Sequence, residues 1–430
     1  MSPKIFARLL TSRYLLGANR STFGIDRIKM FSTTPEPVYP TVTQLKLNMA
    51  KDMGVDSGYH PIPKDRSHLL KFLPKTQEEL PKRSMEDSYL AGIIPLSSDK
   101  VLQDKYVTFL GHVRIGRLLE DMDIFAVMVA HKHIVNPKQP PNEVSPYTLV
   151  TALVDKIDFT DFTPKPQEDI KISGHVSWVG KSSLEVVVWL EQRMHGAWHR
   201  VICISLKCFR VDVKTSNNFN YKTILERQTS SNRKYVLLKE KLALVIPDSE
   251  EQKIIHDIYL RTVNKEISHR NRVLPPGCVW MNSASISNVV FSHPEERNMH
   301  NTVFGGFIMA QAEELSWVLG YMFSKYRPTL KSISDIQFQR PIAVSSLIQM
   351  HAQVVYTQIN YIQILVHVET YNPITGKNDS TNTFHFTYQV PEMVNEVFPM
   401  TYHEAMMYID GRRHFQDVMK KSPGIFPNKL

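Results

Sequence analysis

The sequence predicts an α+β chain of two tandem domains, each an antiparallel sheet wrapped around a long central helix. Residues 298–323, NMHNTVFGGFIMAQAEELSWVLGYMF, open on Gly305-Gly306 and continue apolar on nearly every side, as a helix enclosed by other structure does. Residues 114–131, RIGRLLEDMDIFAVMVAH, repeat that design behind a single glycine, Gly116. Each helix is followed by strand-like alternation, so helix plus sheet recurs at the spacing of a whole domain rather than of a solenoid repeat.

A chain of 430 residues with 42% apolar positions can bury two cores. Its formal charge of +9 suggests nucleic acid less than it first seems to, because residues 1–34 hold six basic side chains and only Asp26, leaving +4 for the rest. That leader spaces Arg8, Arg13, Arg20 and Arg27 among Ile5, Phe6, Leu9, Leu10, Leu15 and Leu16, with many hydroxyl residues, which is the composition of a mitochondrial transit peptide. Its apolar runs are too short and too charged to span a membrane, and no later segment is long enough. The expected compartment is mitochondrial, in the matrix. Asn428-Lys429-Leu430 offers a peroxisomal alternative, one residue type away from Ser-Lys-Leu. Cys203, Cys208 and Cys278 make neither a metal spacing nor a disulfide framework, and Cys203 and Cys208 read as small buried residues on opposite faces of one strand.

Residues 35–84 are rich in Pro, Lys and Asp with little periodicity and read as an extended arm. The first domain then covers 85–212, with one or two short helices over 85–104 and an opening strand over 106–113. In its central helix, Glu120 and Asp121 read as first-turn acids complementing the helix dipole. Asp123 differs: Leu119, Ala126 and Val127 are its helical neighbours, which puts the carboxylate on an apolar stripe. A buried carboxylate is either paired structurally or kept for chemistry, and the residues alone leave both open.

Leu184, Val186, Val188 and Leu190 alternate with Glu185, Val187, Trp189 and Glu191, and 201–211 alternates likewise, so successive strands joined by short turns make an antiparallel sheet. Gly180-Lys181-Ser182 is not a P-loop, since His175 stands where the leading glycine belongs and a strand follows. Residues 213–274 are a polar linker plus a helix over 249–263. The second domain, 275–398, has a strand over 285–291, the Gly305-Gly306 helix, and strands with Ile362, Ile364, Val366 and Val368 on one face and Phe384, Phe386 and Tyr388 on another. Residues 372–379, with Pro373 and Gly376, form a hairpin tip, and 399–430 reads as a helical tail that docks Met406, Met407, Ile409 and Phe415.

The strings GRLLEDMD, VTALVDKID, SGHVSWVGKSS, RVLPPGCVWMNS, HPEERN, VFGGF, QFQRPI, NYIQILVHVE, TNTFHFT and YIDGRRHF, spread over 85–415, resemble the double hotdog acyl-coenzyme A thioesterases, above all their mitochondrial type. The resemblance implies two tandem hotdog domains that hydrolyse acyl-coenzyme A to a fatty acid and coenzyme A. It implies an acyl-coenzyme A substrate and an oligomer of double hotdogs; no cofactor is expected, nor a metal, since His131 and His133 are two apart and the other histidines are scattered, nor a nucleic acid partner, since the charge outside the leader is ordinary. It places an Asn six residues ahead of the residue before Gly-Gly, here Asn298, and an acid seven residues after the second Gly, here Asp123 and Glu313. Thr108 stands at the Asn position of the first domain, and Ile115 precedes Gly116 in place of a second glycine.

The resemblance therefore implies one composite catalytic site made of Asp123, Asn298, Gly305 and Gly306. Asn298 orients water, the helix-opening N–H groups polarise the thioester carbonyl, and Asp123 is general base or nucleophile. Glu313 and Glu314 mark a possible second site, or a structural remnant of one. His293 and His300 beside Asn298 invite a hydratase or dehydratase reading, and a shell that binds acyl-coenzyme A without turnover is a further alternative. Acyl chain length and the side chains that meet the coenzyme A phosphates are not written in any local pattern, Arg272 and Arg340 being candidates only.

Overall fold

The computed structural model describes residues 38–54, 67–72, 82–136, 139–140, 143–160, 163–180, 183–194, 196–212, 245–263, 272–297, 302–338, 340, 342–344 and 346–421. The basic leader, most of the linker, Asn298 and His300 lie outside them.

The arm is not extended throughout. Val42–Asp52 form helix α1, started by Thr41, whose hydroxyl accepts the Gln44 N–H at 3.2 Å. It packs Val42, Leu45 and Met49 against the core, and Lys46 Nζ lies 2.5 Å from Asp121 Oδ1.

The first half then runs α2 (Met85–Ser88), β1 (Leu90–Ile94), α3 (Lys100–Tyr106), the central helix α4 (Ile115–Ile134), β2 (Tyr147–Phe159), β3 (Ile170–Val179), β4 (Ser183–Met194) and β5 (Ala197–Asp212). The opening strand is β1, not 106–113. That stretch leaves α3 and must hand the chain to α4 in a few residues. It does so as a tight turn closed by a Val107–Val113 bridge, with Gly111 at φ +78°. After helix α5 (Ser249–Thr262) come β6 (Cys278–Trp280), β7 (Ser285–Phe291), the second central helix α6 (Gly305–Ser324), β8 (Thr329–Gln337), β9 (Leu347–Gln358), β10 (Tyr361–Asn372), β11 (Lys377–Gln389), β12 (Glu396–Phe398) and α7 (Tyr402–Lys421).

Among the described residues, ten strands form one sheet in the order β1-β3-β4-β5-β2-β8-β11-β10-β9-β7. From the outer edge inward, β1-β3-β4-β5-β2 and β7-β9-β10-β11-β8 hold equivalent places, so the duplication expected from two helices extends to every strand of the sheet. The halves meet where β2 pairs antiparallel with β8, Leu153 opposite Gln337 and Ile157 opposite Ile333. Alternation decides which face is buried: Leu184, Val186, Val188 and Leu190 on β4, and Ile362, Ile364, Val366 and Val368 on β10, all turn into the core around the helices. Cys203 is half-buried rather than a core residue.

Helix α4 is enclosed along nearly its whole length, whereas the second half of α6 leaves Val318, Tyr321 and Met322 exposed. The all-round apolar character of α6 thus exceeds its burial within one chain. Ile409 and Phe415 of α7 are buried, Phe415 between Tyr356 and Tyr361 with ring centroids 5.5 Å from each.

Glu120 and Asp121 are not first-turn acids, because α4 starts at Ile115 and no acid lies in its first turn. Glu120 pairs with Arg117 at 2.7 Å, and Asp121, fully buried, takes the Tyr106 hydroxyl and Lys46. Removing one partner of a buried carboxylate leaves desolvation uncompensated. Lys46→Ala is therefore expected to lower the stability of the protein by about 1–3 kcal/mol, read as a shift in the denaturant midpoint at constant slope.

Candidate active site between the two central helices

The two long helices lie side by side and antiparallel, the opening of each against the middle of the other. A Cβ on Gly306 would stand 2.9 Å from both the Asp123 Cβ and the Glu120 Cα, and one on Gly116 would stand 3.0 Å from the Ala310 carbonyl oxygen. The close packing of the two helices therefore requires glycine at both openings. Gly305 faces a side chain instead, the Phe338 ring 2.6 Å from where its Cβ would be.

Each opening meets an acid from the other helix. The Gly306 N–H donates to Asp123 Oδ2 at 2.7 Å, across 183 positions of sequence. The Gly116 N–H donates to Glu313 Oε2 at 3.2 Å. An unsatisfied first-turn N–H at the positive end of a helix is a natural partner for a carboxylate, so each acid is held where the dipole favours its charge.

The two acids then differ in their surroundings. Asp123 is 1% exposed. Burial raises its pKa, opposed by the Thr151 hydroxyl on β2 and the Gly306 N–H, with the nearby Glu120 charge raising it further. Thr151 sits near enough to favour the charged form, yet among the described residues neither its hydroxyl nor Asp123 Oδ1 completes a hydrogen bond. One carboxylate oxygen is thus anchored and the other is left for a small polar partner.

Glu313 is pushed up to about 8, by burial first and by the Glu314 charge second, against the weaker pull of the Gly116 N–H and Arg114. Glu314 is spent elsewhere: its Oε1 takes Arg114 Nη2 at 2.5 Å and Nε at 3.1 Å, pinning the residue that starts α4. Thr108, at the position where the other half has Asn298, accepts the His112 N–H at 3.2 Å within the turn before α4.

With this geometry in view, residues 300–376 match the Thioesterase superfamily. The chain is 40% identical over 370 residues to human acyl-coenzyme A thioesterase 9, mitochondrial, covering 82% of this chain and 83% of that one. Against the mouse acyl-coenzyme A thioesterase 9 it is 37% identical over 399 residues, covering 89% and 90%. The chain belongs to the acyl-coenzyme A thioesterase family. Among solved structures, an acyl-CoA hydrolase from Staphylococcus aureus, in complex with butyryl coenzyme A, coenzyme A and coenzyme A disulfide, aligns at 20% identity and a TM-score of 0.31, covering 34% of this chain and 96% of that one.

Of the residues that family resemblance singles out, Asp123, Gly305 and Gly306 come together, while Asn298 lies outside the described residues. His293 sits exposed on the turn after β7, edge-on to Phe291 at 5.3 Å. Arg272 is occupied in structure, donating to the Pro399 carbonyl at 3.0 Å and to that of Met400, and Arg340 pairs with Asp379 on the hairpin. Sequence reasoning missed one grouping. His385 on β11 stacks on His414 of α7 at 3.7 Å, and their Nε2 atoms lie 3.3 and 3.8 Å from the two oxygens of Asp410. Only the i,i+4 spacing of Asp410 and His414 hinted at it. The cluster ties α7 to the sheet, and one ligand atom from each of the three side chains lies within 4.8 Å of the other two.

Proposed function

We infer that this protein hydrolyses acyl-coenzyme A thioesters in mitochondria, and that the work is done at a composite site where Asp123 of the first half faces the opening of α6 in the second. The observation that supports this site is the 2.7 Å contact between the Gly306 N–H and Asp123 Oδ2. Two halves supply it, so neither hotdog alone has the parts.

In this reading the thioester carbonyl comes to the opening of α6 and accepts from the Gly305 N–H, the Gly306 N–H being held by Asp123 Oδ2, and the helix dipole steadies the negative charge that develops on oxygen. Asn298, placed by its spacing ahead of Gly305, orients a water. Asp123 Oδ1 takes a proton from that water as its oxygen attacks the carbonyl carbon. The tetrahedral intermediate then collapses, the C–S bond breaks, and coenzyme A leaves as the thiol on receiving a proton. Burial strengthens Asp123 as a base, because the environment that disfavours its charge raises its affinity for a proton.

The mitochondrial relatives and the Arg-spaced leader both support the compartment. Assembly into an oligomer is part of the same proposal: a related acyl-CoA thioesterase is described as hexameric, and Val318, Tyr321 and Met322 form an apolar exposed stretch of α6 that a second copy can cover. Purified protein is expected to release free thiol from acyl-coenzyme A, followed with a thiol reagent, and to form no enoyl product from a 3-hydroxyacyl thioester. The reverse outcome, lost on changing His293 or His300, would assign the chemistry to a dehydratase.

A further inference from the structure

The other pairing of the halves, Glu313 with the opening of α4, is not closed off. A cavity of about 570 Å³ lies against it, within the range of about 300–1,000 Å³ usual for small-molecule sites. Phe159, Val201, Trp317 and Leu330 line it with apolar surface, and the Glu313 carboxyl is its buried polar end, 5% exposed. Arg114 and Glu314, paired with each other, also line it. A mainly apolar cavity that also carries Glu313, Arg114 and Arg327 fits an amphiphile better than a compact polar metabolite.

We propose that this cavity is a second acyl site, in which an acyl chain lies along Phe159, Val201, Trp317 and Leu330 with its carbonyl oxygen against the Glu313 carboxyl, and that it binds without hydrolysing. This rests on the reading that hydrolysis belongs to Asp123. Burial and the Glu314 charge push Glu313 up to about 8, so at neutral pH it is mostly protonated and can donate to a carbonyl. Thr108 commits its hydroxyl to the His112 N–H, where the other pairing has Asn298. The ligand is an acyl group, carried either by coenzyme A or by the free fatty acid that the enzyme releases.

The test is calorimetric titration of the full-length protein with a coenzyme A ketone that carries a methylene between the octanoyl carbonyl and sulfur, with Trp317 fluorescence read in parallel. Two equivalents per chain are expected for the wild type. One equivalent, with loss of the Trp317 change, is expected for Val318→Trp or Thr163→Trp, which fill the cavity from opposite walls, and both should hydrolyse substrate at low concentration within about 2-fold of wild type. Octanoate that removes one equivalent identifies the fatty acid as ligand, and octanoate without effect identifies the thioester. One equivalent in the wild type, or two in both filled variants, overturns the proposal. If filling the cavity abolishes hydrolysis while Asp123→Asn retains it, the cavity is the catalytic pocket and the functional reading fails instead.

Discussion

Asp123→Asn is expected to lower kcat for acyl-coenzyme A hydrolysis by about 10²- to 10⁴-fold, the usual effect of removing a positioned general base, while leaving the fold intact. The amide is nearly the shape of the carboxylate and its oxygen can still accept the Gly306 N–H, so the contact between the helices survives. What is lost is the proton acceptor. Steady-state kinetics with a thiol reagent, together with circular dichroism, separates the two effects. Asn298→Ala should also lower kcat, and because both residues act on one water the double variant should be little worse than the poorer single variant.

The same assignment fixes the pH dependence. Asp123 must be ionised to work and burial raises its pKa, so activity should fall on acidification at a pH above the ordinary aspartate range of about 4. If Glu313→Gln abolishes hydrolysis and Asp123→Asn keeps it, the site has been built from the wrong pair of halves.

Glu313→Gln is expected to act on stability rather than on turnover, and to do so only at the higher pH. The folded protein holds the Glu313 proton up to about 8, whereas the unfolded chain releases it near the ordinary value of 4.5. Between those limits the native state binds more protons, so its stability falls as pH rises and levels off above about 8. The Gln variant does not titrate. Its advantage over the wild type should grow from little at pH 4 to as much as about 4–5 kcal/mol at pH 8, a span of roughly 3.5 pH units at 1.36 kcal/mol each. Urea denaturation of both proteins at the two pH values measures it. A difference that does not change with pH would mean that Glu313 is ionised in the native state.

Much of this was legible in the chain. Periodicity marked both central helices, the alternation of β4 and β10, the hairpin at 372–379 and the tail helix, because burying one face imposes a period of 3.6 or 2 on the residues themselves. Short elements were less visible. β1 has only five residues, and α1 docks on the core through just Val42, Leu45 and Met49, so each writes only a brief pattern into its own sequence.

The acids divide along the same line. Asp123 stood out as a carboxylate on an apolar stripe, and its spacing from Gly116 tied it to a family site. Asp121 did not, because its partners, Lys46 and Tyr106, lie 75 and 15 positions away. Likewise His385 and His414 become neighbours only when β11 and α7 pack.

By itself the sequence determined the duplication and the antiparallel sheets, which follow from residue type and local spacing, while its motif strings carried the resemblance that singled out Asp123, Asn298, Gly305, Gly306, Glu313 and Glu314. Which acid meets which helix opening was decided only by the tertiary structure. A local pattern cannot say that α4 and α6 lie antiparallel, and that arrangement sends Asp123 to Gly306 and Glu313 to Gly116. The different fates of the two carboxyls are decided there as well, because a pKa answers to burial and neighbouring charge, and both are properties of the packed molecule.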